Sequence, residues 1–102
     1  YLSIVYTTQF GKQRLFFPDY IVQTQDGTTW LLETKGGEQA NGQDKNIDKH
    51  AKVKFNALQD FCQKHGYKFG FIRDKDGELY LNNTEYVDDM SDERWQPLER
   101  YI

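Results

Sequence analysis

The hydrophobic period of the chain changes twice, and that alternation limits its fold more than any other feature of the sequence. Up to residue 35, apolar and β-branched residues come in short runs separated by turn signals. Residues 2–7 are β-rich and end at a polar turn, Gln9-Phe10-Gly11-Lys12-Gln13. Residues 15–24 read as a strand in which Pro18 suggests an edge or a bulge, because proline has no N–H to give to a ladder. Gln25-Asp26-Gly27-Thr28 is a strong turn signal and residues 29–35 form the next strand, so the two read as a hairpin or meander. From about residue 44 to residue 65 the period becomes helical. Ile47, Ala51, Phe55, Leu58, Phe61 and Cys62 share one stripe, and Lys45, Lys49 and Lys52 lie opposite. Gly66 stands where glycine commonly ends a helix.

Residues 67–73 then read as a buried strand and residues 78–82 as the returning strand, with Asp74-Lys75-Asp76-Gly77 as the turn between them. Ser91-Asp92-Glu93-Arg94 reads as the capped start of a short last helix, docked by Trp95, Leu98 and Ile102. The predicted order is β-β-β-α-β-β-α, an α+β or mixed α/β domain.

A chain of 102 residues has room for one core. Seven Phe, seven Tyr and two Trp are ample to build it, which excludes wholesale disorder. Acids exceed bases, 16 to 13, so there is no general basic field and any nucleic-acid contact must be local. The single cysteine, Cys62, excludes an internal disulfide framework and suits a reducing compartment. With only His50 and His65 beside it, no set of soft ligands exists for structural zinc. No apolar run is long enough to span a bilayer, and no signal-peptide pattern appears. The chain opens at Tyr1 inside a strand-like run, and the expectation is a fragment of a larger protein.

The chemistry is concentrated in Phe16-Phe17-Pro18-Asp19-Tyr20-Ile21-Val22 and Leu31-Leu32-Glu33-Thr34-Lys35-Gly36. Side chains two apart on a strand share a face, so Glu33 and Lys35 point the same way. If the turn centres on Asp26 or on Gly27, Asp19 lies opposite Glu33 or Lys35, and all three converge. A two-residue turn at Asp26-Gly27 sets Asp19 opposite Thr34 instead and breaks the arrangement. Adjacent carboxylates repel, and a hard divalent cation resolves the conflict; oxygen ligands favour magnesium, which retains waters. A lysine alongside can position an attacking water and stabilise the charge of a pentacovalent transition state. Asp19, Glu33 and Lys35 are thus a minimal kit for phosphodiester hydrolysis. An acid and a base two apart on a strand are more commonly a solvated face. Here both acids sit in strongly apolar segments, and Gly36-Gly37 follows, where a backbone can approach a ligand closely.

These two blocks, with 13 residues between Asp19 and Glu33, resemble the signature of the PD-(D/E)XK nuclease superfamily. More narrowly they are similar to the C-terminal endonuclease domain of the Res subunit of type III restriction enzymes. The segments NIDKHAKVKFNAL, YKFGFIRDKDGELYLNN and EYVDDM fit that narrower match. The resemblance implies a restriction-endonuclease-like mixed central sheet flanked by helices. It implies Mg²⁺, with Mn²⁺ as a substitute, held by Asp19, Glu33 and the main-chain carbonyl of Thr34, with Lys35 orienting or activating the hydrolytic water. It further implies DNA as substrate, a modification subunit as partner, and a bacterial or archaeal cytoplasm. ATP would enter only through helicase domains outside this sequence. The rival readings are a nuclease of the same fold serving repair, transposition or recombination, and a non-catalytic DNA-docking module.

Lys45, Lys49 and Lys52 are candidates for phosphate contact, although such lysines are more often the solvated side of a helix. Lys54 falls within the apolar stripe. It either reaches toward the metal site or covers core with its stem while the amine snorkels out, and the second reading is favoured. Asp48 is expected to support the helix, Cys62 to be core, and His50 and His65 to be surface residues.

Overall fold

The computed structural model describes residues 2–8, 10–35 and 50–102. A small antiparallel hairpin comes first, formed by β1 (Ile4–Thr7) and β2 (Gln13–Phe16). Its alternation follows the sequence pattern: Ile4, Tyr6 and Phe16 turn inward, while Val5 and Leu15, paired across the strands, face out. A separate five-stranded sheet holds β3 (Tyr20–Gln23), β4 (Thr29–Thr34), β5 (Lys68–Lys75), β6 (Glu78–Asn82) and β7 (Gln96–Pro97), in that spatial order. Only the β4–β5 pair is parallel. A parallel neighbour requires a crossover, and the connection from β4 to β5 carries the one α-helix among the described residues, α1 (Ala51–His65). The chain ends in a short 3₁₀ helix, Leu98–Arg100.

The crossover explains why β4 lacks alternation. Trp30, Leu31 and Leu32 are all buried because both faces of the strand are covered. On one face, α1 lays Ala51, Phe55, Leu58 and Cys62 against Leu31, Phe69 and Phe71, with Met90 and Trp95 completing the core. Phe55 is fully buried and meets Phe69 and Phe71 edge-on, at centroid distances of 5.2 and 5.0 Å. Burying such a ring contributes on the order of 2–3 kcal/mol. On the other face Trp30, Leu32, Ile72 and Leu81 gather under Leu98 and Tyr101.

Two expectations are corrected. The strand anticipated over residues 15–24 is two strands in two different sheets, broken at Phe17-Pro18-Asp19. The last helix does not form. Asp89 accepts the Ser91 N–H at 2.9 Å and Asp92 that of Arg94 at 2.9 Å, so these side chains close turns rather than cap a helix. The residue before a proline also favours extended backbone, and Gln96-Pro97 pairs with β6. The sheet is therefore flanked by α1 on one face and by the 3₁₀ helix with Tyr101 on the other, and the observed order is β-β-β-β-α-β-β-β-3₁₀. The helix expected from residue 44 is described only from Ala51; Ile47 and Asp48 lie outside the described residues. No described helix is long and apolar enough to cross a membrane.

Candidate active site

The site is built by the β3–β4 hairpin. Its connection is Gln25-Asp26-Gly27, closed by the Thr24 N–H donating to the Thr28 carbonyl at 2.9 Å, with Gly27 at φ 86°. Three connecting residues, the last with positive φ, are the usual alternative to a two-residue hairpin loop. Tyr20 consequently pairs with Leu32, and Ile21 with Leu31. Continued past Tyr20, this register sets Asp19 opposite Glu33 and Pro18 opposite Thr34. The turn thus centres on Asp26, one of the two centres that bring the acids together.

Glu33 lies on the face covered by α1, beside Phe71 of β5, and is 7% exposed. Its Oε2 is 3.7 Å from Lys35 Nζ, and Lys35 lies over the Phe71 ring, 5.2 Å from its centroid. Oε1 is buried and has no hydrogen-bond partner among the described residues. Burial pushes the Glu33 carboxyl up from 4.5 to about 7, and the charge of Asp19 adds to the rise against the pull of Lys35 and Lys54. Asp19 goes the other way. Partial burial raises its carboxyl, but hydrogen bonds from the Thr34 side chain and backbone, then from Glu33, together with the charge of Lys35, hold it below its ordinary value. The register, which sets Asp19 opposite Glu33, brings the two carboxyl groups to one side of the sheet. A carboxyl raised in this way beside a second acid favours sharing a proton or a cation over two bare charges.

The sequence singled out Thr34 only for its carbonyl. In the structure its N–H and its hydroxyl both donate to Asp19 Oδ2, at 2.8 and 2.6 Å. Lys54, from α1, is half-buried with Nζ 5.6 and 5.8 Å from the Tyr6 and Phe16 ring centroids, and its charge reaches Glu33. The amine thus lies near both rings, within reach of the Glu33 charge. Lys52 is exposed, and Lys45 and Lys49 lie outside the described residues. Cys62 is buried, and burial pushes its thiol up to about 12. His65 is exposed and packs on Phe61, whereas His50 is half-buried beside Tyr6.

No group of three or more His, Cys, Asp or Glu stands together among the described residues. The oxygen donors that the register places near one another are the carboxylates of Asp19 and Glu33, with the Thr34 carbonyl on the adjoining backbone. All are hard oxygens, and the partnerless Glu33 Oε1 is a group that a cation would satisfy. A small all-oxygen set of this kind fits Mg²⁺, which keeps several waters, better than a softer metal.

A mixed sheet with a parallel crossover, and paired acids beside a lysine at one strand end, is compatible with the restriction-endonuclease-like nuclease fold. The TnsA-like endonuclease N-terminal family matches residues 1–74, and the chain belongs to that family, which has the PD-(D/E)XK-like nuclease fold. The match reaches from the first hairpin into β5 and so contains Asp19, Glu33, Thr34, Lys35 and α1. It is to TnsA-like endonucleases and not to the type III Res subunit specifically. No curated protein and no solved structure matches the chain.

Proposed function

We propose that this domain is a Mg²⁺-dependent endodeoxyribonuclease, with Asp19, Glu33 and the Thr34 carbonyl holding the metal and Lys35 orienting the attacking water. The observation that carries this reading is Glu33, a nearly buried carboxylate opposite a second acid, with one oxygen unpartnered among the described residues and a lysine 3.7 Å from the other. Such an arrangement is costly for folding alone, because burying an unsatisfied carboxylate opposes stability. Membership of an endonuclease family supports the same conclusion.

When bound, the metal supplies Lewis acidity toward a phosphoryl oxygen and a lowered pKa for water. The residues do the rest. Asp19 and Glu33 would fix the cation at the end of β4. The Lys35 ammonium, steadied over Phe71, directs a water lone pair at phosphorus and offsets the charge that accumulates as the new P–O bond forms and the ester P–O bond breaks. The attacking water gives a proton to solvent and the departing oxygen takes one from it, so the step balances.

Incubating the full chain with supercoiled DNA and Mg²⁺, with and without ATP, tests the proposal. Cutting is expected to fall by about 100-fold or more in Asp19→Ala and in Lys35→Ala. Variants that cut as fast as the parent would show the roles to be wrong. A finer reading places the domain in a type III restriction system, working with a modification subunit in a bacterial or archaeal cytoplasm. What favours it is the similarity of the Asp19 and Glu33 blocks to the Res subunit; the TnsA-like match supports the reaction and not that setting. Dependence of cutting on ATP and on a modification subunit would be its signature.

A further inference from the structure

Thr34 stands between the two residues of the motif that the chemistry uses, and its own side chain has had no part in that chemistry so far. Its N–H and Oγ1 converge on one oxygen of Asp19, at 2.8 and 2.6 Å. Asp19 itself is exposed and precedes β3, so no ladder fixes it. Two donors on Oδ2 do what a ladder does not: they restrict the rotation of the carboxylate.

The local sequence explains why a backbone N–H is available for this. Lys35 sends its N–H to the Ile72 carbonyl of β5 at 2.9 Å, so the N–H of Thr34, one residue back, points the opposite way, toward β3. Its ladder partner there would be residue 18. Pro18 has no N–H to return, so the 18–34 pair cannot close its two-bond ring, and the strands part. Thr34 then binds the Asp19 side chain in place of the backbone, and its carbonyl receives no N–H from residue 18.

We propose that Thr34 is a positioning residue, whose hydroxyl and N–H aim the Asp19 carboxylate at the metal, with Pro18 opening the ladder so that they can. This rests on the nuclease reading above and deepens it. A purely structural Thr34 would cap the end of the hairpin, and its loss would lower stability without touching metal affinity.

Calorimetric titration of Mn²⁺ alone into the full chain separates these cases. Thr34 is exposed, so the isosteric Thr34→Val change removes the hydroxyl with little effect on packing. Its Mn²⁺ Kd is expected to rise about tenfold or more, the usual cost of losing a group that orients a ligand. Thr34→Ser, which restores the hydroxyl, should recover most of that loss. Pro18→Ala gives residue 18 an N–H and should weaken Mn²⁺ in the same direction by a smaller factor. Parent-like affinity in Thr34→Val, or no recovery in Thr34→Ser, overturns the positioning role while leaving the nuclease reading in place. Unchanged affinity in Pro18→Ala overturns the part given to Pro18. A parent that binds no Mn²⁺ beyond what Asp19→Ala binds overturns both readings together.

Discussion

The two tight turns of the five-stranded sheet both contain Asp-Gly, yet they pair their strands with opposite parity. Between β5 and β6 the connection is Asp76-Gly77 alone, both at positive φ (54° and 82°), and Lys75 pairs with Glu78. Between β3 and β4 it is Gln25-Asp26-Gly27, with only Gly27 at positive φ, and even-numbered residues pair with even. The flanking residues account for the difference. Asp26 accepts hydrogen bonds from the Thr24 hydroxyl and the Thr28 N–H, which holds the longer loop closed. In the other turn, Asp74 accepts the Gly77 N–H at 3.1 Å. One residue of loop length decides which side chains meet across a hairpin, and at β3–β4 it decides that Asp19 meets Glu33.

The comparison is broken most severely by recasting the loop as a two-residue turn flanked by Gln25 and Thr28: Thr24→Val removes the hydroxyl that holds Asp26, and Asp26→Asn supplies the Asn-Gly pair of a type I′ hairpin. A one-residue slip would face Asp19 with Thr34 and turn the side chains of β3 over. Mn²⁺ binding and DNA cutting are expected to fall by about 1000-fold or more while circular dichroism still reports a mixed sheet. Retained cutting would show that the pairing parity is not what assembles the site.

A second, smaller effect sharpens it through pH. The Glu33 carboxyl is raised from 4.5 to about 7, so its contribution to stability is complete below about 4.5 and is lost as pH rises through about 7. Over that window the metal-free parent should lose on the order of 3 kcal/mol relative to Glu33→Gln, measured by urea denaturation at each pH. Mn²⁺ affinity should move oppositely, tightening as pH rises through about 7, because the proton must leave before the cation binds. A parallel pH dependence in the two proteins would remove Glu33 as its source.

The smallest effects test the turns themselves. Gly27→Ala should cost about 1 kcal/mol, since alanine is strained at φ 86°. Asp76→Gly should gain several tenths of a kcal/mol by relieving positive φ at 54°. Thermal melting checks both.

These turns also show where the sequence was readable. Gln25-Asp26-Gly27-Thr28 announced a hairpin, but its parity depended on which residues Asp26 would bond, and that is a choice between near-equal local alternatives. The helical stripe of Ala51, Phe55, Leu58 and Cys62 was plain because four buried positions repeat at one period. Pro18 signalled a break, yet nothing local said that the strand would divide between two sheets. Ser91-Asp92-Glu93-Arg94 carried a capping pattern, and the pairing of Gln96-Pro97 with β6 overrode it. Glu33 and Lys35 on one face followed from strand geometry alone. The burial of Glu33 did not, because it depends on a helix brought from 18 or more residues away.

Cys62, on the core face of α1, has a use that its position makes specific. It is the sole thiol in the chain, 1% exposed, and burial pushes its ionisation up to about 12, so the nucleophilic thiolate is scarce while the helix stays docked. An alkylating reagent would therefore mark only molecules in which α1 has lifted from Phe69 and Phe71. The rate of labelling is a built-in clock for how often the wall behind Glu33 comes away.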